Sequence, residues 1–310
     1  MLRLKGLLMI IIGAMLWGAT GPIIEWILDN TNLSVPFLLT IRATFAGILL
    51  LSLMVIRNKD IFEVWKIPSY RNQLIIFSIF GMLGLQYSFL MVIESSNAIA
   101  ATLLQFSGPI FVMLYISLNH KKIPPRCQII GIAGTLIGLF LLLTNGSLSS
   151  LLVSTKALLW GVGLGLAFAF YTLYPVRLMQ KWSVLIIVGW SMLISSGVLA
   201  VGNHVWTSNE WSLLLQPDIA LLIICLVLMG TMGFVLFLGS MKYISAVETS
   251  ILSSVEPLTA MIISAVWFRT MLQSVQLLGV LLMFIFVTWI SISRENIPIS
   301  GKGTQCKTLS

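Results

Sequence analysis

Apolar residues run in blocks of about twenty along this 310-residue chain, and short polar or basic turns separate the blocks. A helix of that length covers the hydrocarbon core of a bilayer. Ten such helices are predicted, at roughly 6–27, 34–56, 72–93, 98–118, 127–143, 157–176, 183–203, 218–239, 245–267 and 273–292. Strand-like alternation is absent, so the pattern favours a helical bundle over a barrel. The longest linker, about 57–71, has no core pattern of its own, and no stretch has room for a soluble domain.

The blocks carry an internal echo. Ala98, Leu104, Pro109, Met113, Gln128 and Gly131 stand 148 positions before Ala246, Leu252, Pro257, Met261, Gln276 and Gly279, without a gap. A second pair of landmarks, Leu16-Trp17-Gly18 and Leu159-Trp160-Gly161, is offset by 143. A duplicated unit of five spans is expected, 1–145 and 146–293, followed by a tail at 294–310. Because five is odd, the second unit enters the membrane in the opposite sense, as in an inverted-repeat transporter.

Composition agrees: 58% of residues are hydrophobic and 9% charged, against roughly 25% charged in soluble domains. The net charge of +8 reads as orientation rather than as nucleic-acid binding. Of eighteen Lys and Arg, fifteen fall on the side of the N-terminus, only Lys156 and Arg269 on the other, and Arg42 lies inside a span. This positive-inside bias places both termini in the cytoplasm. Residues 1–27 have a signal-peptide look, with Arg3 and Lys5 before an apolar run, but the run is too long and nine more follow. Cys127, Cys225 and Cys306 have neither disulfide nor ligand spacing.

Several motifs then converge. Leu-Trp-Gly opens each half; Asn97-Ala98 and Ser245-Ala246 turn into the Pro-bearing spans; Ser254-Val255-Glu256-Pro257-Leu258 and the pair Gln128-x-x-Gly131 and Gln276-x-x-Gly279 follow in order. In these the chain resembles the EamA family of the drug/metabolite transporter superfamily along its length apart from the C-terminal tail. It departs from the family where a Gly-Glu pair often precedes the Gln, having Lys121-Lys122 and Arg269-Thr270 instead. The resemblance implies that spans 4 and 9 border a central cavity and that small metabolites such as amino acids, or drugs, are exported.

Charges inside spans are costly and suspect as functional by default. Arg42, about eight residues into span 2, is either a charge partner in the cavity or a structural ligand of loop carbonyls. Glu256, near mid-span 9, is a candidate proton carrier or a member of an internal polar network. An Arg42–Glu256 pair would economise on buried charge. Ala98, Thr102, Gln105 and Pro109 share one helical face, as do Ala246, Ser250, Ser253 and Pro257. Such faces serve close packing or, beside a proline, a midplane substrate site. Trp17 and Trp160 sit within spans and need a buried acceptor or wet cavity; Gln86, Tyr87 and Tyr171 are weaker candidates of the same kind. Trp182, Trp206, Trp211 and Trp289 read as interfacial, as do Glu25, Glu94 and Glu248. Gly161-x-Gly163-x-Gly165 and Gly134-x-x-x-Gly138 read as close helix packing.

An all-α integral membrane protein follows, with no cofactor or metal and no nucleic acid, as a monomer or homodimer in the inner membrane. The function expected is secondary transport by alternating access. An integral-membrane enzyme acting on lipid-linked substrates is the alternative, but it needs an acid/base or nucleophile cluster that these residues do not supply. A channel would need a continuous polar pore.

Overall fold

The computed structural model describes residues 2–119, 126–145, 153–253, 255–269 and 273–294, and the described secondary structure is helical throughout. Lys121, Lys122 and Thr270 lie outside the described residues, as does most of the tail. Ten longer helical units follow in order among the described residues, with short helices between some of them. They are α1 (Leu2–Asn30), α2 (Val35–Ile56), α3 (Pro68–Ser95), α4 (Ala98–Gln105 and Gly108–Asn119) and α5 (Arg126–Thr144). The second set is α6 (Thr155–Leu173), α7 (Val184–Gly202), α8 (Pro217–Ser240), α9 (Ala246–Leu252 and Val255–Trp267) and α10 (Ser274–Arg294). Eight of the units contain helices long and apolar enough to cross a membrane; α5 and α10 hold shorter apolar stretches, Ile129–Gly138 and Ser274–Phe286.

The principal packing partners repeat. α2 lies against α7 and α5 against α10, while α1 packs on α8 and α9 as α6 packs on α3 and α4. Adding five to each helix number of one such pair yields another pair, as a duplicated unit requires. The glycines read as packing surfaces act as such: a Cβ at Gly138 would meet Met283 Cγ at 2.7 Å, and one at Gly134 would strike the Phe286 ring.

The matched helices enter from opposite ends of the bundle. Glu25, near the end of α1, accepts from the Ala98 amide at 2.8 Å, where α4 begins. Arg3, at the start of α1, pairs with Glu248 at 3.1 Å, where α9 begins. The end holding Arg3 and Lys5 is termed the basic end below. At the other end Lys156 meets Glu94 at 3.2 Å, and the Ser34 amide donates to Glu210 at 2.6 Å. Each of the three glutamates expected at span ends therefore has a polar partner at a helix end.

Two features depart from regular helices. Both Pro-bearing spans are broken, α4 at 106–107 and α9 between Leu252 and Val255. α3 is π-wound from Phe77 to Leu83. Ser195 on α7 donates to the Ser78 carbonyl at 3.0 Å within that stretch, supplying a donor where the regular ladder is disturbed.

Candidate functional site

The two breaks are built by the same local chemistry. A proline has no amide hydrogen, so it leaves the carbonyl four residues earlier without its helical donor. Pro109 does this to Gln105 and Pro257 to Ser253. In α4, Asn97 caps the first piece by accepting from Ala100 N at 2.7 Å, and Ser107 Oγ closes it on the Leu104 carbonyl at 2.7 Å. In α9, Ser253 Oγ donates to the Ser250 carbonyl at 2.8 Å, and Glu256 N turns back to the Ser253 carbonyl at 2.9 Å.

The breaks bring two polar side chains face to face. Gln105 ends the first piece of α4 and Glu256 opens the second piece of α9; Gln105 Nε2 donates to Glu256 Oε2 at 2.6 Å. Both are buried, with relative exposures of 5% and 3%. Nearby, Arg42 on α2 donates from Nη2 to Gln86 Oε1 on α3 at 2.6 Å. The Gln86 amide is itself held by donating to the Met82 carbonyl at 3.3 Å and contacting Met192 Sδ at 3.5 Å. Met82 belongs to the π-wound stretch, which thus anchors the amide that faces Arg42.

Arg42, Gln86, Gln105 and Glu256 line one small cavity of about 30 Å³ together with Trp17 and Thr20. Its remaining walls are Leu85, Phe89, Leu90 and Phe234. The Arg42–Glu256 ion pair that economy of charge allowed is not formed: among the described residues there is no N···O contact within 4.0 Å between them. Each charged group is instead held by a neutral amide from another helix. An amide satisfies one lone pair or proton of a buried ion without cancelling its charge. The cavity therefore presents a guanidinium and a carboxyl group on different helices, not paired with each other.

Rings packed around Trp17 and Phe234 of the cavity wall form a cluster, termed the plug below. Trp17 stacks on Phe237 with centroids 5.1 Å apart and meets Phe234 edge-on at 4.7 Å. Tyr171 stacks on Phe77 at 5.7 Å and tilts against Phe237 at 5.5 Å. Its hydroxyl approaches the Phe234 carbonyl at 3.5 Å. Trp17 Nε1 has no acceptor among the described residues, and its indole edge lies against α8 where Gly233 leaves room.

Of the residues singled out from sequence, Trp17, Arg42, Gln86, Gln105 and Glu256 share the cavity. Tyr171 lies in the plug. Tyr87 and Trp160 meet each other edge-on at 5.6 Å rather than lining the cavity. The Thr102 hydroxyl is occupied by the Ile99 carbonyl at 2.9 Å, and Ser250 and Ser253 are buried beside the α9 break. Pro109 follows the break at 106–107 and does not line the cavity, whereas Gln105 precedes it and does. Trp182, read as interfacial, is buried with 6% exposure beneath Tyr70 and Lys181. Thr20, Phe89 and Phe234 were not singled out. The 148-residue offset applied to Gln86 lands on Phe234, and that was the available signal. Among the described residues no three His, Cys, Asp or Glu side chains gather as a metal site.

Comparison with known proteins agrees with this architecture. The model of the EamA-like transporter family matches residues 4–144 and again 155–292. The chain is 34% identical over 293 residues to the uncharacterized inner membrane transporter YicL of Salmonella typhimurium (strain LT2), spanning 94% of this chain and 97% of that protein. One solved crystal structure shares the fold, with a TM-score of 0.67 at 14% identity over 93% of this chain and 96% of its own.

Proposed function

The chain belongs to the EamA-like transporter family, and from that premise we propose that it is an inner-membrane secondary transporter exporting small metabolites. In this reading α1–α10 all span the bilayer, with the basic end and both termini in the cytoplasm. The five-helix units 1–145 and 146–293 are inverted repeats, and rocking one against the other alternates access to the cavity between them. The opposite entry points of α4 and α9, and the packing pairs that map onto one another, support this.

The observation that carries the substrate reading is that Arg42 and Glu256 line one cavity without pairing with each other, each meeting a glutamine amide. A cavity with a cation at one point and a carboxylate at another suits a small molecule bearing both charges, such as an amino acid. Arg42 would take its carboxylate, in charge-assisted hydrogen bonds, and Glu256 its ammonium. Glu256 then holds either a proton or the substrate's cationic group, and that exclusivity couples export to proton entry. Trp17, Gln86 and Gln105 shape and orient the site, while Tyr171 in the plug closes it. Thr102, Ser250 and Ser253 hold the helix breaks, and Tyr87 with Trp160 supports the wall.

The test is uptake and efflux in proteoliposomes with a labelled panel of zwitterions, amines and carboxylates, with and without an imposed pH gradient. Accumulation of zwitterions driven by the gradient is expected. Equal flux in protein-free liposomes, or transport of single-charge compounds only, would overturn the reading.

A further inference from the structure

Away from the cavity, the basic end holds a second gathering of charge that transport chemistry does not use. The short helix Val176–Lys181 follows α6 and lies against the start of α3. Its two cations, one turn apart, converge on a single ring: Arg177 Cζ is 5.9 Å and Lys181 Nζ 5.0 Å from the centroid of Tyr70. Lys181 is also 5.3 Å from the ring of Trp182, which meets Tyr70 edge-on at 6.2 Å. Both cations are exposed. Neither has a carboxylate partner among the described residues, whereas Arg3, Lys66 and Lys156 pair with Glu248, Asp60 and Glu94. The aromatic faces position the two cations without neutralising them.

The same seam continues toward the midplane as a ladder of rings. Tyr174 stacks on Phe170 at 4.4 Å, and Phe170 meets Phe80 at 6.4 Å. Phe80 is 62% exposed. Gln73 Nε2 donates to the Tyr174 carbonyl at 3.0 Å and fastens α3 to the end of α6 along this line. Paired cations at the aromatic boundary thus sit above an apolar track that faces outward from the bundle.

We infer that the α3–α6 seam at the basic end binds one anionic phospholipid. Its phosphodiester lies on Arg177 and Lys181, and an acyl chain lies over Tyr174, Phe170 and Phe80. Charge complementarity selects an anionic headgroup, and the ring track selects a lipid over a soluble phosphate, which would use the cations alone. Tyr70 and Gln73 come from the first half of the chain and Arg177, Lys181 and Trp182 from the second. A bound lipid therefore ties the halves together at this end, whatever the transported substrate is.

The experiment uses the full chain purified in neutral detergent and titrated with dioleoyl-phosphatidylglycerol, read by native mass spectrometry and by unfolding temperature. Dioleoyl-phosphatidylcholine supplies the neutral headgroup, and glycerol 1-phosphate the headgroup without chains. Phosphatidylglycerol is expected to bind and stabilise, and the other two are not. The double variant Arg177→Gln, Lys181→Gln weakens that binding on the order of tenfold, whereas Lys242→Gln, an exposed cation at the same end, leaves it unchanged. Should the double variant not fold, each single variant is read the same way, with a smaller loss. Equal binding of both lipids, or an equal loss in the Lys242 variant, overturns the assignment. Glycerol 1-phosphate matching phosphatidylglycerol overturns it in favour of a soluble phosphate ligand.

Discussion

Gln105 and Glu256, 151 positions apart in the chain, are joined at 2.6 Å across the two broken helices. Each stands where a proline four residues later, or one residue later, interrupts its helix. The bond thus links the points at which the two halves are least regular. It positions the Glu256 carboxyl group at the wall of the cavity.

Glu256→Gln is expected to preserve the shape of this contact, since an amide can accept from Gln105 where the carboxylate did. What it removes is the exchangeable proton and the negative charge. Proteoliposomes holding the variant should show no accumulation in response to an imposed pH gradient, while the unfolding temperature stays near that of the parent. Gradient-driven accumulation at the parent level would remove Glu256 from the coupling step.

Arg42→Gln separates recognition from coupling. Losing a charge-assisted bond to a substrate carboxylate costs about 1.5–3 kcal/mol, so KM for a zwitterion should rise on the order of ten- to a hundredfold. A decarboxylated amine of the same side chain should be handled as before. Competition assays with the two compounds give the ratio, and a parallel loss for both would assign Arg42 to the scaffold instead.

Gln86→Leu tests the scaffold directly. It leaves the buried Arg42 guanidinium with no acceptor among the described residues, and an unsatisfied buried group of this kind costs about 1–3 kcal/mol or more. Replacing both residues, Arg42→Met with Gln86→Leu, should recover much of that loss, because the pair's desolvation is then removed as well. Thermal unfolding of the two single variants and the double variant closes the cycle. Additive losses would contradict the pairing.

The chain's own pattern foretold the helical class, the repeat and the charged members of the cavity, for physical reasons. An ionised group among apolar blocks stands out because it is expensive there, so Arg42 and Glu256 were visible before any fold was known. Their partners were less so. Direct pairing looked economical, but the site uses Gln86 and Gln105, whose approach depends on the π-wound stretch and on the breaks at Pro109 and Pro257. Thr20 and Phe89 were hidden because an apolar or small residue in an apolar chain carries no signal of which side it faces, and Phe234 was reachable through the 148-residue offset from Gln86. Trp182 stands at a helix end as its type suggested, but its neighbours Tyr70 and Lys181 pack against it and it is buried. The stripe from Ala98 to Pro109 assumed one continuous helix, whereas α4 is broken at 106–107.

The repeated Leu-Trp-Gly offers a last discrimination, since its two glycines do the same job against different neighbours. Gly18 lets α1 approach α9: a Cβ there would overlap the Glu256 carbonyl and lie 2.8 Å from Thr259 Cβ and 3.2 Å from Ala260 N. Gly161 lets α6 approach α4, where a Cβ would lie 2.7 Å from Leu104 Cδ1 and 3.0 Å from its Cβ. Backbone atoms cannot step aside, whereas the end of a leucine can turn. Overpacking in a rigid contact costs about 1–3 kcal/mol, so Gly18→Ala should lower the unfolding temperature clearly and Gly161→Ala less. The first substitution also pushes on the residue that carries Glu256 and on the neighbouring Trp17, so it should reduce substrate flux beyond its effect on stability. Thermal unfolding and proteoliposome transport of the two variants, measured side by side, decide it. Equal losses, or a greater loss from Gly161→Ala, would mean that helix spacing is not set by the atoms these glycines face.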